Sequence, residues 1–411
     1  MVRIRITVSA ALFFLALNAS AMSPKPVATD ADSYFPASYE ASRARFREQI
    51  ARGPHPADRH GSFAVPSKVY KDLSVDWAHF KAKKPKTLVV LMSGVHGPES
   101  FGSSAVQAAA FERLLPRASA ETGFLFVHAM NPYGFKSGRR VTEHNIDLNR
   151  NFGIDDSLFD NKNPGYFKIR DLFEPQGRVI DPNLGLFGSA AKVFEALALK
   201  RMSFDDFNEA YGNGQYESAR GVGYGGRALE PQIGFFRKLL ESESRDYESV
   251  VFFDLHTGLG EKGQLHVITG MYEKLCDPGL IEAALKRHPH PESFELTTPD
   301  SQGFYASHGD SADFAPQLLA GVGGKRVLSA TMEFGTLGKD VPSQLQSLNR
   351  IVLENQGFWF GYATPWAKPQ VQREFAELFN PHDARWRAAV IDKGTLFLQG
   401  VLERVDPGFR P

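Results

Sequence analysis

The run Thr87-Leu-Val-Val-Leu-Met92 has no polar position after its first residue. A strand with one face in water alternates polar and apolar side chains, so a run that does not alternate is expected to be covered on both faces. Ser249-Val-Val-Phe-Phe253 has the same character, Phe124-Leu-Phe-Val-His-Ala129 is interrupted by His128 alone, and Gln264 to Thr269 and Arg326 to Met332 supply two more strands. Helical spacing lies between and around them. Ser38 to Ile50 places Tyr39, Phe46 and Ile50 on or near one face, and Ser103 to Leu115 carries small residues suited to close packing. Leu345, Leu348, Ile351 and Val352 mark a long helix entered through Pro342, a further helix runs to Ile391, and Thr395 to Leu398 reads as a last short strand. Strands alternating with helices predict an α/β chain with a mostly parallel sheet covered on both faces. The stretch 153–248 breaks this rhythm, being rich in Gly, Asn, Asp and aromatic residues. It reads as a large insertion at the rim of the sheet rather than a separate domain.

Composition narrows the function. With 47 Lys+Arg against 47 Asp+Glu in 411 residues, the chain lacks the surplus of positive charge that nucleic-acid binding needs. A hydrophobic share of 42% is too high for disorder, and 23% charged residues is too many for a polytopic membrane protein. The single cysteine, Cys276, excludes an intramolecular disulfide framework, a Cys-rich zinc knuckle and a redox CxxC. A metal site here must therefore use His and carboxylates.

The first residues read as an address. Arg3 and Arg5 precede an apolar run from Ile6 to Leu17, which ends in Ala19-Ser20-Ala21, a small-x-small cleavage pattern. The run is shorter than the roughly 20 residues of a membrane span. A signal peptide over residues 1–21 is expected, leaving an exported protein, periplasmic or secreted, with no stable membrane anchor. No cysteine lies at the expected cleavage site to carry a lipid on the new N-terminus.

In open α/β sheets, ligands bind beyond the carboxyl ends of the strands. After the 87–92 run comes Ser93-Gly-Val-His96-Gly-Pro-Glu99; after 124–129, Asn131-Pro-Tyr-Gly134; after 249–253, Asp254-Leu-His256-Thr-Gly258; and the 326–332 run ends at Glu333-Phe-Gly-Thr336. Two His and two Glu thus reach one sheet edge. Gly97-Pro98 makes a tight turn that can aim His96 and Glu99 at one point, and His256 can add a third ligand. Two His and one Glu leave an open coordination position, the pattern of a catalytic zinc. Asp254, two residues before His256, points to the same face and suits a supporting role. Glu333, closing an apolar strand, is either a general base beside the metal or one half of a buried ion pair with an Arg. The polar run from Arg139 to Phe152 is either a solvated loop or a source of Arg for carboxylate and oxyanion binding.

The ordered set His96-x-x-Glu99, Asn131-Pro-x-Gly134, Arg140, Asp147-x-Asn149-Arg150, His256 and Glu333 resembles the zinc carboxypeptidases of the carboxypeptidase A superfamily. The likeness is greatest to a bacterial branch catalogued as a domain of unknown function, shown by Phe35-Pro-Ala-Ser-Tyr39-Glu-Ala-Ser-Arg43, Gly214-Gln-Tyr216, Gly225-Gly226 and Met332-Glu-Phe-Gly335. It extends from about residue 34 to 365, and a catalytic domain over 34–400 is expected. The resemblance implies an α/β/α sandwich on a mixed sheet of about eight strands. It implies one zinc ion held by His96, Glu99 and His256, with Glu333 as base and Arg140 as the arginine that polarises the scissile carbonyl. It makes Asn149 and Arg150 the pair that grips a substrate's terminal carboxylate, and Asp147 the acid that orients His96. The family's substrate-binding tyrosine has no firm match, and Tyr305 in Gly303-Phe-Tyr-Ala is the candidate. The interval from Arg150 to His256 is longer than in the digestive enzymes.

Three readings are open: a zinc hydrolase cutting a C-terminal peptide bond, an amidohydrolase of N-acyl amino acids or murein peptides on the same core, or a catalytically silent binding module. The first two take a peptide or acyl-amino-acid substrate with a free carboxylate. Gly221-Val-Gly-Tyr-Gly-Gly226 comes after no strand and is set aside as a dinucleotide site. Gly309-Asp-Ser-Ala is set aside because no GxSxG elbow accompanies it.

Overall fold

The computed structural model describes residues 30–53, 56–198, 202–270, 278–286, 291–299, 301, 307–320 and 324–410. The expected signal peptide, Cys276 and Tyr305 lie outside the described residues. No helix among those described is long and apolar enough to cross a membrane.

The strands are β1 (Arg59–Ala64), β2 (Ser74–Phe80), β3 (Thr87–Ser93), β4 (Thr122–His128), β5 (Ser249–Glu261), β6 (Leu265–Ile268), β7 (Phe294–Thr297) and β8 (Arg326–Leu337). They form one mixed sheet of 8 strands in the order β1-β2-β4-β3-β5-β8-β6-β7. The centre is parallel, β4–β3–β5–β8, and the β6–β7 pair is parallel too, whereas β1–β2, β2–β4 and β6–β8 are antiparallel. Helices are α1 (Tyr39–Arg52), α2 (Ser100–Arg113), α3 (Pro132–Ser137), α4 (Pro164–Lys168), α5 (Arg170–Phe173), α6 (Pro182–Ala198), α7 (Phe204–Gly212), α8 (Pro231–Glu243), α9 (Pro278–Lys286), α10 (Ser311–Ala320), α11 (Val341–Phe360), α12 (Ala367–Phe379) and α13 (Ala384–Val405).

Strand alternation divides the core into two layers. Val89, Leu91, Phe124, Phe126, Phe253 and Met332 pack towards α2 and α13, with Val106, Phe397 and Leu398. Leu88, Val90, Met92, Val127 and Phe252 pack on the opposite face with Phe236 and Leu240 of α8 and Phe314 of α10. All residues of β3 and β4 are buried, as a strand covered on both sides must be. The sheet covered on both faces that the alternating runs predict is present, and so is the eight-stranded mixed sandwich that the resemblance implies.

Three strands were not legible. Asp76 and His79 interrupt β2, and both are buried because partners await them. Arg47 Nε donates to Asp76 Oδ2 at 2.8 Å, while His79 Nδ1 lies 2.7 Å from Glu243 Oε2 and its Nε2 lies 3.0 Å from the Tyr247 hydroxyl. The edge strands β1 and β7 are short and partly exposed. The strand expected at Thr395–Leu398 is instead part of α13. Its β-favouring residues are overridden by a buried helical stripe of Val390, Ile391, Phe397, Leu398, Val401 and Leu402, and Thr395 Oγ1 bonds back to the Ile391 carbonyl at 2.8 Å.

Within 153–248, the sheet-covering layer resumes at α8, whose Ile233, Phe236, Leu239 and Leu240 belong to the sheet core. The helices α4–α7 stand off the sheet. Their Tyr166, Phe173, Val193 and Phe207 form a separate apolar cluster with Leu348 and Val352 of α11.

Candidate metal centre

β3 delivers the chain to a turn in which Gly97 approaches neighbouring backbone closely. A Cβ there would sit 2.1 Å from both the Arg139 carbonyl oxygen and the Gly134 carbonyl carbon, so only glycine fits. The Gly97 N–H donates to the Arg140 carbonyl at 3.2 Å, and the Ser100 N–H to the Gly97 carbonyl at 3.1 Å. This places His96 before the turn and Glu99 at the start of α2. β5, paired in parallel with β3, brings Asp254 and His256 to the same edge.

His96, Glu99 and His256 converge, all buried. His96 Nδ1 lies 2.8 Å from Glu99 Oε1, and His256 Nδ1 lies 2.8 Å from Glu99 Oε2. Each ring turns its other nitrogen to a second carboxylate: His96 Nε2 is 2.9 Å from Asp147 Oδ1, and His256 Nε2 is 2.7 Å from Asp254 Oδ2. Those carboxylates are themselves held. Asp147 accepts from the Asn149 N–H at 3.0 Å and pairs with Arg140, while Asp254 accepts from the Ser311 hydroxyl at 2.5 Å.

The three groups can each offer one ligand atom with all such atoms within 4.8 Å of one another. His96 Nδ1, although close to Glu99, is buried without a hydrogen-bond partner. A carboxylate at Nε2 keeps the proton there and leaves Nδ1 as a bare lone pair, the usual orientation of a metal-binding histidine. Two imidazole nitrogens and one carboxylate oxygen, each backed in this way, fit a divalent metal ion. Burial opposes the charge on Glu99, yet His96 and His256 hold its carboxyl below the usual range. Burial likewise works against a charged His256, and Asp254 with Glu99 raises it well above its ordinary value.

Glu333 lies on β8 directly across from His256. Just beyond this pair the β5–β8 register shifts in a bulge between Gly258 and Glu261. Gly258 takes φ 145° in that bulge, and the Leu259 N–H donates to Glu333 Oε1 at 3.0 Å. Among the described residues no Arg or Lys forms an ion pair with Glu333. Burial, reinforced by Glu99, pushes its carboxyl up to about 8 against the opposing influence of His256, the Leu259 N–H and Arg140. Thus the two glutamates of one site are moved in opposite directions, one by paired histidines and the other by loss of water.

Arg140 joins the cluster, with Nη1 on Asp147 and Nε 3.8 Å from Glu99 Oε1. Its neighbour Arg139 turns away to Glu354 at 2.9 Å, Asn145 at 3.0 Å and the ring of Phe358 at 3.5 Å. Asn149 Oδ1 accepts from the Ser311 N–H at 3.1 Å. Arg150 donates to the Asn149 and Gly212 carbonyls, and its Nε is buried without a partner. The turn carrying both is further clasped by Tyr216, whose hydroxyl is 2.9 Å from the Arg150 carbonyl.

Two residues next to the site have no signal in the sequence. Ser311, in the block set aside with Gly309, ties α10 to both Asp254 and Asn149; nothing in its local sequence signals this. His266 on β6 lies across from Glu333 on the side away from His256, with Nε2 2.6 Å from Thr297 Oγ1. Its place beyond Glu333 is set by strand order, which the sequence does not display.

A family described as a protein of unknown function, DUF2817, matches residues 35–393. The chain belongs to that family. Its match meets the expectation of a bacterial branch of unknown function drawn from the motifs. No curated protein matches the sequence. Among solved structures, the chain is similar to thrombin-activatable fibrinolysis inhibitor at 14% identity and a TM-score of 0.45, covering 90% of this chain and 78% of that one. It is similar to carboxypeptidase A from Helicoverpa armigera at 13% identity and a TM-score of 0.43, covering 83% and 73% respectively. A metallo-carboxypeptidase from Burkholderia cenocepacia shows 14% identity and a TM-score of 0.36 over 78% of this chain and 69% of that one.

Proposed function

We propose that the protein is an exported zinc hydrolase that removes the C-terminal residue from a peptide or acyl-amino-acid substrate bearing a free carboxylate. One observation carries the reading: two histidine Nδ1 atoms meet on Glu99, each ring backed by its own carboxylate, beside a glutamate that no Arg or Lys pairs among the described residues. One zinc ion held by His96, Glu99 and His256 would activate a water molecule and polarise the scissile carbonyl.

The remaining tasks fall to this chain's own side chains. Glu333 accepts the proton of the attacking water and passes it to the leaving nitrogen, a task suited to a buried carboxylate directly across from His256. Arg140, kept charged by Asp147 and Glu99, stabilises the negative charge that develops on the carbonyl oxygen. Asn149 and Arg150 bind the terminal carboxylate, for which the buried Arg150 Nε–H is a donor left over. Tyr305 is the candidate tyrosine for contact with substrate. Murein peptides suit an exported enzyme of this kind.

The test is to give metal-quantified protein a mixed pool of peptides and acyl-amino acids beside Glu333→Gln, and to track products by mass spectrometry. Release of C-terminal residues by the wild type alone, with one zinc per chain, is expected. Zinc binding without any cleavage would overturn the hydrolase reading and leave the metal site intact.

A further inference from the structure

α6 is apolar on both of its sides. Its inner line, with Pro182, Ser189, Val193 and Ala196, is buried, and Ser189 Oγ bonds Asn349 Oδ1 of α11 at 3.2 Å. Its outer line carries Leu184 at 63% exposure, Phe187 at 70% and Phe194 at 68%, with the exposed Ala191 between them and Ile180 at 70% just ahead of the helix. Lys192 and Glu195 are the charged residues of the helix, and Lys192 Nζ is spent on the Asp171 carbonyl. A helix hydrophobic all round belongs in an interior, yet α6 is covered on one side only.

The spacing of the outer line says what would cover it. Leu184, Phe187, Ala191 and Phe194 succeed one another in steps of three, four and three, the 3.5-residue repeat of a seam between two helices. A helix lying in a lipid surface has a broad apolar face bordered by Lys and Arg; here the exposed charge beside the stripe is Glu195. Set antiparallel against a copy of itself, the stripe is self-complementary. Leu184 meets Phe194 of the second copy, Phe187 meets Ala191, and the two-fold axis repeats both layers, so every ring faces a smaller side chain. Each large side chain offers on the order of 100–150 Å². With Ile180 that makes about 500 Å² per copy and about 1,000 Å² across a pair, the lower bound for a specific interface.

We propose that the protein forms a two-fold dimer in which α6 packs antiparallel against α6 of a second copy. The proposal is independent of the hydrolase reading.

Sedimentation velocity on protein purified from an exporting host should show a species of twice the chain mass in equilibrium with monomer. Phe187→Glu should weaken self-association by more than about tenfold, with circular dichroism and melting unchanged because the side chain is exposed. In a Cys276→Ser background, the pair Phe187→Cys with Ala191→Cys should link two copies on mild oxidation, whereas Phe187→Cys alone should not. Monomer at every concentration would overturn the proposal, as would a dimer indifferent to Phe187→Glu. Linking by Phe187→Cys alone would overturn the antiparallel register. Monomeric protein that floats with phosphatidylcholine–phosphatidylglycerol vesicles through Phe187 would assign the face to lipid and overturn it too.

Discussion

The ends of β3, β5 and β8 and the helical excursion α4–α7 meet at the turn 147–150, but they are secured by different means. The strand ends are fixed by ladders, with Met92 against Asp254 and His256 against Glu333, and by apolar layers on both faces. The excursion has its own apolar cluster against α11 and reaches the turn through polar clasps, Arg150 to the Gly212 carbonyl and Tyr216 to the Arg150 carbonyl. Chemistry that depends on ångström-level placement sits on the ladders. The excursion rests on packing of its own, separate from the ladders that carry His96, His256 and Glu333.

The comparison can be broken most forcefully at the metal. His256→Ala should abolish bound metal, measured by elemental analysis, and lower hydrolysis by more than about a thousandfold. The same change leaves Asp254 and Glu99 buried without their partner and should cost about 3–5 kcal/mol in chemical denaturation. Phe173→Ala tests the other region. This ring is fully buried and stacks on Tyr166 at 4.9 Å and Tyr211 at 5.7 Å, so its loss should cost about 3–5 kcal/mol locally. The expected result is early proteolysis within 164–212 with metal content unchanged; a parallel loss of metal would show that the two regions are not separable.

A finer probe is Asp254→Asn, which removes the charge behind His256 and keeps the shape. Metal affinity should fall about 10–100-fold by competition with a chelator, while melting of the metal-free protein shifts little. The sheet side can be probed separately with acid. His128 ends β4 in the core, stacked on Phe46 at 4.9 Å with Ser42 and Ser93 hydroxyls each at 3.3 Å, and burial pushes its imidazole down to about 3. The unfolded chain therefore binds the extra proton first. Stability should be unaffected by this group above about pH 6.5, then fall by about 1.4 kcal/mol per pH unit towards 3. His128→Leu should flatten that slope in urea titrations at stepped pH.

Much of the site was legible because it is built from strand ends. Buried parallel strands announce themselves as unbroken apolar runs, and the residues immediately after each run must lie at one edge of the sheet. His96, Glu99, His256 and Glu333 could be brought together on that ground, and Asp254 by its two-residue offset from His256. Arg140 and Arg139 could not be separated in this way, since both come after the same turn; the close approach at Gly97 and the acids around Arg140 separate them. Ser311 and His266 stayed hidden because their partners come from strands and helices far along the chain.

By itself the sequence determined that the chain builds a sheet covered on both faces and sends His and carboxylate groups to one edge, because burial pattern and polarity are written locally. Only the tertiary structure decided which nitrogen of each histidine faces inward, that Glu333 forms no ion pair with Arg or Lys among the described residues, and that Thr395–Leu398 joins a helix. Those outcomes depend on the groups that pack alongside: a carboxylate behind each ring, a strand bulge that turns the Leu259 N–H, and an apolar layer that rewards a helical stripe over a strand's alternation. Local preference is worth tenths of a kcal/mol per residue, whereas burying a side chain or pairing a buried charge is worth about 1–3 kcal/mol, so the fold overrules the segment wherever the two disagree.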